Sequence, residues 1–442
     1  MARLFIIGEC PWVPSSMGKV VLWLSQELVE MGHEVLVGCY GAPTSTLWSR
    51  FTVYNPKKQC SDERFAELLP DIDIPVTLVK KGHLVEDALI YFSAPPDAIV
   101  TFGSHHAGDL GSWINDEIRN TWTRQSRPAI AYSQIDCPFE KASFALSVAS
   151  YSLAAYPSEF SRSVALDGVR WLFRKRGGDS VAPRFAEHTA VVYHGIDTSI
   201  YSEKTARLVR EKPKMLKPVQ APRVVGFFAK NHVRKDYAAL LRCVARLRKR
   251  GLDVAAGAYF VTAVAAPVWD LAWLIEVVSR VEGVDMEGKV LVLPDTLASY
   301  GAPEPAVVET YVNLMDVHAF LTRDESFGIP PLESVMLGVP TVVSDIPPQR
   351  EVWGNAMPLV RTEVRVREGW VAYEPEPEHC ADVVEQVLTK GLDLSAARER
   401  VMSMFTSRHM AEQLLKATEK AFESPEPIAS KVREVGEVLG IQ

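Results

Sequence analysis

The sequence predicts an α/β protein made of two doubly wound halves, and three observations carry that expectation. Short apolar runs alternate with amphipathic stretches of helical period, the pattern of a parallel sheet covered by helices. The pattern stops at a polar stretch, 211–222, which carries three prolines, and it restarts beyond it. At 442 residues the chain is also too long for one core.

The elements follow in order. Residues 4–7, Leu-Phe-Ile-Ile, read as a first buried strand, because four apolar residues are too few for the core of a signal peptide. A proline-containing loop is expected at 9–16, an amphipathic helix at 18–31 stopped by Gly32, and a strand at 34–37. Further buried strands are expected at 98–102, 129–133 and 190–193. The second half opens with a strand at 223–228, a helix at 237–250 with Gly251 as its stop, and a strand at 254–261. Strands at 289–293, 317–321 and 340–343 continue the series, and 409–423 and 428–439 read as helices separated by Pro425 and Pro427. The expected domains are 1–205 and 220–405, with 406–442 as closing helices. Ligands of such sheets bind beyond the carboxyl ends of the strands, so two such domains facing each other would enclose a cleft.

Composition narrows the function classes. A net charge of −7 argues against general nucleic-acid binding, while leaving room for a local basic patch. The six cysteines are widely spaced and form no CxxC pair, which points to a reduced, cytoplasmic protein without a disulfide framework or a zinc site. No apolar stretch reaches the roughly 18 residues of a membrane span.

The most informative segment runs Asp324-Glu325-Ser326-Phe327-Gly328-Ile329-Pro330-Pro331-Leu332-Glu333. Glu325 falls on a loop after the strand 317–321, and Glu333 falls in the first turn of the helix that follows. Gly328 permits close approach of backbone to a phosphate, Pro330 and Pro331 preset φ for the helix, and N–H groups at a helix start attract anions. Glu333 has two readings, a residue that stabilises the helix dipole or an acceptor for two neighbouring ribose hydroxyls. A second segment, Gly226 to Asp236, carries Lys230, Arg234 and Lys235 on the loop between a strand and a helix. It reads either as a solvated charged loop or as a clamp for a diphosphate that gains charge as it departs. Loop acid, helix-start acid and cations together suit a ligand that is part sugar and part phosphate, such as a nucleotide-sugar.

These segments resemble the family-four glycosyltransferases, retaining enzymes of the GT-B fold with two Rossmann-like domains. The resemblance rests on the pair Glu325 and Glu333 with the following Gly338-Val339-Pro340, on the loop Ala229 to Asp236, and on Tyr193-His194-Gly195-Ile196-Asp197-Thr198. Weaker matches at Met31-Gly32-His33-Glu34-Val35, Pro157-Ser158-Glu159-Phe160 and Pro347-Pro348-Gln349-Arg350-Glu351 fall in the family's order. The resemblance implies a nucleotide-sugar donor, an acceptor hydroxyl on a glycan, a lipid or a small molecule, and no metal or other cofactor. It further implies closing helices that cross back to the first domain. Lys230 and Lys235 would hold the diphosphate with Arg234 between them. Glu325 would act at the donor sugar, Glu333 at the ribose, and Ser326, Phe327, Gly328 and Ile329 would line the donor pocket. Three departures stand out: Lys230 replaces the usual Arg and loses its fork, Ser326 replaces the usual Gly, and Met17-Gly18 keeps one glycine of the usual pair. A catalytically degenerate binder, an epimerase or a phosphorylase on the same fold are the alternatives.

On the acceptor side, the family often has a His in the region of His105 and His106, which follow the strand 98–102; a surface pair is the alternative. Asp136 follows the strand 129–133, with acceptor contact or a turn role as its readings. The segment Val169 to Gly178 interleaves Arg170, Arg174, Lys175 and Arg176 with Trp171, Leu172 and Phe173. It reads as an amphipathic helix on the core or as a peripheral contact with an anionic lipid surface.

Overall fold

A strand whose every residue is apolar must be covered on both faces, and Leu4, Phe5, Ile6 and Ile7 are all fully buried. The computed structural model, which describes residues 1–13, 15–40, 50–103, 108–137, 145–213, 223–259, 270–293, 303–367 and 370–440, places them inside an eight-stranded sheet. Its strands are β1 (Arg3–Glu9), β2 (Glu34–Tyr40), β3 (Phe51–Tyr54), β4 (Ile74–Leu78), β5 (Ala98–Gly103), β6 (Ala129–Ser133), β7 (Leu153–Tyr156) and β8 (Thr189–Val191). Their spatial order is β3-β4-β2-β1-β5-β6-β7-β8, parallel throughout except for β3 against β4.

The second sheet contains β9 (Arg223–Phe228), β10 (Val254–Tyr259), β11 (Val290–Leu293), β12 (Val317–Phe320), β13 (Thr341–Ser344) and β14 (Leu359–Val360). They are all parallel, in the order β11-β10-β9-β12-β13-β14. A separate antiparallel hairpin, β15 (Thr362–Arg367) and β16 (Trp370–Pro375), follows. The sequence signalled neither this hairpin nor β3, β4, β7 and β14.

Two compact units result. The first comprises Met1–Lys58, Pro70–Gly195 and Phe405–Gln442, and the second Gln59–Leu69 and Ile196–Met404. The division falls at Gly195, earlier than the expected 205, and the excursion Gln59–Leu69 was not expected. Arg64 holds that excursion in the second unit, pairing with Asp62 at 2.7 Å and with the fully buried Glu309 at 2.9 Å.

The closing helices belong to the first unit. Ile428, Ala429, Val432 and Val435 join its core, while the Ile428 and Ala429 N–H groups donate to the carbonyls of Tyr151 and Ala149 at 2.8 and 3.0 Å. The points where the chain leaves and re-enters this unit touch one another. Tyr193 packs edge-on against Phe405, with ring centroids 5.5 Å apart, and its N–H donates to Gln413 Oε1 at 2.8 Å. A Cβ on Gly195 would overlap the carbonyl of Thr406, so glycine is required there by space rather than by φ. Gly195→Ala is therefore expected to cost about 1–3 kcal/mol of stability. Denaturant titration checks this, and an unchanged midpoint would show that the crossing relaxes freely.

Candidate active site

β9 and β12 are parallel neighbours, so their loops leave the same carboxyl edge side by side. Backbone contacts stitch the loops together. Asp236 N–H donates to Leu321 O at 3.0 Å, Arg323 N–H donates to Arg234 O at 2.8 Å, and Lys235 and Thr322 form an antiparallel bridge. Asp236 fixes two elements with one carboxylate. Its Oδ1 caps the helix Tyr237–Lys249 through Ala239 N–H at 3.0 Å, and its Oδ2 accepts from Arg323 Nε at 2.8 Å.

The stitching sets Lys235 against Glu325, and Lys235 Nζ donates to Glu325 Oε1 as an ion pair. Arg234 Nη1 lies 3.6 Å from Glu325 Oε2 and 3.8 Å from Asp324 Oδ1. Lys235, Asp324 and Glu325 are only 7%, 4% and 6% exposed. Desolvating each such charge costs several kcal/mol, so either one alone would be strongly destabilising. The structure thus joins three of the predicted residues, Arg234, Lys235 and Glu325, and adds Asp324. It does not bring in Lys230, whose side chain is exposed further along the same loop.

The segment beyond Glu325 turns inward. Ser326, Phe327 and Ile329 are buried, and Gly328 takes φ +98°, a conformation that favours glycine. A Cβ there would overlap the Gln349 amide, which is itself fixed: Gln349 Nε2 donates to Phe327 O at 2.7 Å, and Trp353 Nε1 donates to Gln349 Oε1 at 2.9 Å. Gln349 was missed as a site residue, although it lies in the weak sequence match at 347–351.

Two expectations for this segment change. Glu333 is the fifth residue of the helix Ile329–Met336, so it lies beyond the first turn, where dipole stabilisation fades. It is fully buried, and its Oε2 accepts from the Tyr311 hydroxyl at 3.0 Å. Burial, with Glu333 adding to it, holds the Tyr311 hydroxyl well above its ordinary pKa, so it stays a donor. The helix start also offers fewer anion-binding groups than expected. A helix leaves its first N–H groups unpaired, but Pro330 and Pro331 have none, so Gly328 and Ile329 are left to supply them.

In the first unit, Gly18 approaches its own loop rather than open space. A Cβ would overlap the carbonyls of Val13 and Cys10, and the Gly18 N–H is taken by Ser15 Oγ at 2.9 Å. Asp136 is half-buried near His194, at the carboxyl edge of β6. The hydrogen bonds fix the His194 tautomer. Tyr132 donates its hydroxyl proton to Val192 O at 2.6 Å, so it accepts from His194 Nδ1–H at 3.0 Å. His194 Nε2 then accepts from Gln134 Nε2 at 3.1 Å. Sequence reading placed His194 in a family motif without seeing this chain. His105 and His106 lie outside the described residues.

The basic-aromatic segment splits between its two readings. Phe173 is buried and Leu172 packs on the core, while Trp171 is 49% exposed with the Arg174 guanidinium 3.9 Å from its ring centroid. Among the described residues no three His, Cys, Asp or Glu side chains are grouped to hold a metal ion, and no helix is long and apolar enough to cross a membrane.

The fold is of the GT-B type, with two Rossmann-like units built on parallel sheets. Residues 293–402, which carry Arg323 to Glu333, match the family described as Glycosyl transferases group 1. The fold is similar to that of an α,α-trehalose-phosphate synthase (UDP-forming) from Burkholderia vietnamiensis, with TM-score 0.61 and 12% identity over 97% of this chain and 100% of that one. It is also similar to the sucrose-phosphate synthase of Thermosynechococcus elongatus, with TM-score 0.59 and 13% identity over 96% and 100%. A third likeness is to the E. coli trehalose-6-phosphate protein bound with UDP-2-fluoro glucose, with TM-score 0.59 and 12% identity over 95% and 99%. At these identities the likeness speaks for the fold. No curated protein sequence matches the chain significantly.

Two buried rings give the fold a pH dependence. Burial pushes His194 and His318 down to about 3, against 6.5 for an ordinary histidine. The unfolded chain therefore binds protons that the folded chain refuses. The stability they contribute is complete above pH 6.5 and is lost as pH falls toward 3. Between pH 7 and pH 5 the expected loss is about 2 kcal/mol per histidine. Urea titration at both pH values measures it, and a flat profile would mean that the rings charge within the fold.

Proposed function

We propose that this protein is a retaining glycosyltransferase that moves a sugar from a nucleotide-sugar to an acceptor hydroxyl. The observation that carries the reading is the cluster of Lys235, Arg234, Glu325 and Asp324 at the carboxyl edge of the second sheet, next to the left-handed Gly328. The family match over 293–402 and the fold support it.

In this mechanism the bond between the anomeric carbon and the diphosphate oxygen breaks, and its electron pair stays on the phosphate. Lys235 and Arg234 stabilise that growing charge, with the Gly328 and Ile329 N–H groups adding to it, while the exposed Lys230 stays outside the cluster. Glu325 offsets the positive charge that develops on the sugar. The acceptor hydroxyl attacks the same face and passes its proton to the departing phosphate, which preserves the anomeric configuration. Asp324 and Glu325 keep both cations in place before the donor arrives. Glu333, held by Tyr311, is assigned to the ribose, and Asp136 to the acceptor. No metal or other cofactor is required, since the cations do its electrostatic work.

A thermal-shift series with UDP, GDP, ADP and their sugar conjugates tests the donor site. One nucleotide should raise the melting temperature by mass action, and Glu333→Gln should weaken that shift. Product NMR with the matching sugar should show retention, and Lys235→Met or Glu325→Gln should lower turnover by about 10²–10³. No shift at millimolar nucleotide, or normal turnover in both variants, would overturn the reading.

The exposed Trp171 and Arg174 support a lipid-linked or membrane-surface acceptor approached by a cytoplasmic enzyme. Binding to phosphatidylglycerol vesicles at low salt should fall in Trp171→Ala and disappear in high salt. Equal binding to neutral vesicles would count against it.

A further inference from the structure

The hairpin β15–β16 leaves one strand edge uncovered among the described residues. Among the described residues β15 pairs with β16 alone, and Val364 and Val366 are 59% and 80% exposed. The register settles which backbone groups face outward. Glu376 N–H donates to Arg361 O at 2.9 Å, one step beyond the pair Thr362 and Pro375. Hydrogen-bonded pairs alternate along an antiparallel ladder, so Glu363 and Arg365 turn their backbone groups toward β16. Thr362, Val364 and Val366 then turn theirs away. The far side of the hairpin agrees: Tyr373, opposite Val364, sends its N–H away from β15 to Arg323 O at 2.8 Å.

We propose that this edge pairs with β15 of a second copy of the chain, joining two hairpins into a four-stranded antiparallel sheet about a two-fold axis. An edge strand with free N–H and C=O groups is a template for another strand, and the charges here choose the register. Centred on Val364, the pairing opposes Thr362 with Val366 and Val364 with its own copy, all through outward-facing backbone groups. It sets Glu363 of each copy against Arg365 of the other, at the non-hydrogen-bonded positions where side chains come closest. Centring on Glu363 would oppose Glu with Glu, and centring on Arg365 would oppose Arg with Arg. Val364 and Val366, with Val371 and Tyr373 opposite them on β16, extend one apolar strip across the axis. Such an edge buries less than the roughly 1,000 Å² of a stable dimer, so the association is weak and concentration-dependent.

Sedimentation velocity of the full chain from about 1 to 100 μM should show a monomer–dimer equilibrium, the range in which so small an interface associates. Glu363→Arg places like charges opposite one another twice and should weaken the dimer by about tenfold or more. The swap Glu363→Arg with Arg365→Glu restores those pairs, and also the contact at 2.6 Å between the two residues within one chain, so it should regain the dimer. Both side chains are exposed, so circular dichroism should show all variants folded alike. A monomer throughout the range would overturn the proposal. So would a dimer indifferent to Glu363→Arg, or a swap no better than the single change.

Discussion

Lys235 and Glu325, ninety positions apart in the chain, each carry a charge that the other must neutralise. Burying either charge alone costs about 3–5 kcal/mol, a large share of a domain's stability, so the two loops strongly favour forming together. The backbone bridge at Thr322 and the double role of Asp236 make that pairing rigid. The helix Tyr237–Lys249 is capped by the same carboxylate that holds Arg323, so secondary structure and site share one anchor. The cations are therefore held in place by the fold itself, which is the condition that the proposed electrostatic catalysis requires.

The same economy of space runs through the segment after Glu325. Gly328 is compelled twice, by a φ of +98° and by the Gln349 amide beneath it. Gln349 is in turn held by Trp353 and Phe327, so the loop that carries the acids rests on a fully bonded support. The paired prolines complete the geometry at a cost to it. They preset the helix and remove two of its N–H groups, so in the proposed mechanism the electrostatic burden falls on Lys235 and Arg234.

In the first unit the chain's exit and return meet where Gly195 backs onto Thr406, and the closing helices complete the core around Tyr151 and Ala149. Close by, the hydrogen bonds running from Gln134 through His194 and Tyr132 to Val192 orient the Gln134 amide by burial and tautomer rather than by charge. Each unit thus presents a fixed polar group at the carboxyl edge of its own sheet, where doubly wound folds bind ligands.

The sequence by itself determined the α/β class, the buried strands β1, β2, β5, β6, β9 and β12, and the stretch Asp324 to Glu333 as the centre of interest. Those features are local: continuous apolar runs, helical period, and glycine and proline at fixed offsets. It missed β4, where Pro75 interrupts the strand pattern, and β7, whose four residues are too few to show a period. It also missed the excursion Gln59–Leu69, the burial of Glu333 under Tyr311 and the part played by Gln349. Only the tertiary structure decided which cation meets which carboxylate, setting Lys235 on Glu325 and leaving Lys230 outside. The physical reason is that an ion pair, a buried tautomer and a steric demand on a glycine are properties of residues far apart in the chain. No period or spacing along the sequence encodes which of them will share a low-dielectric site.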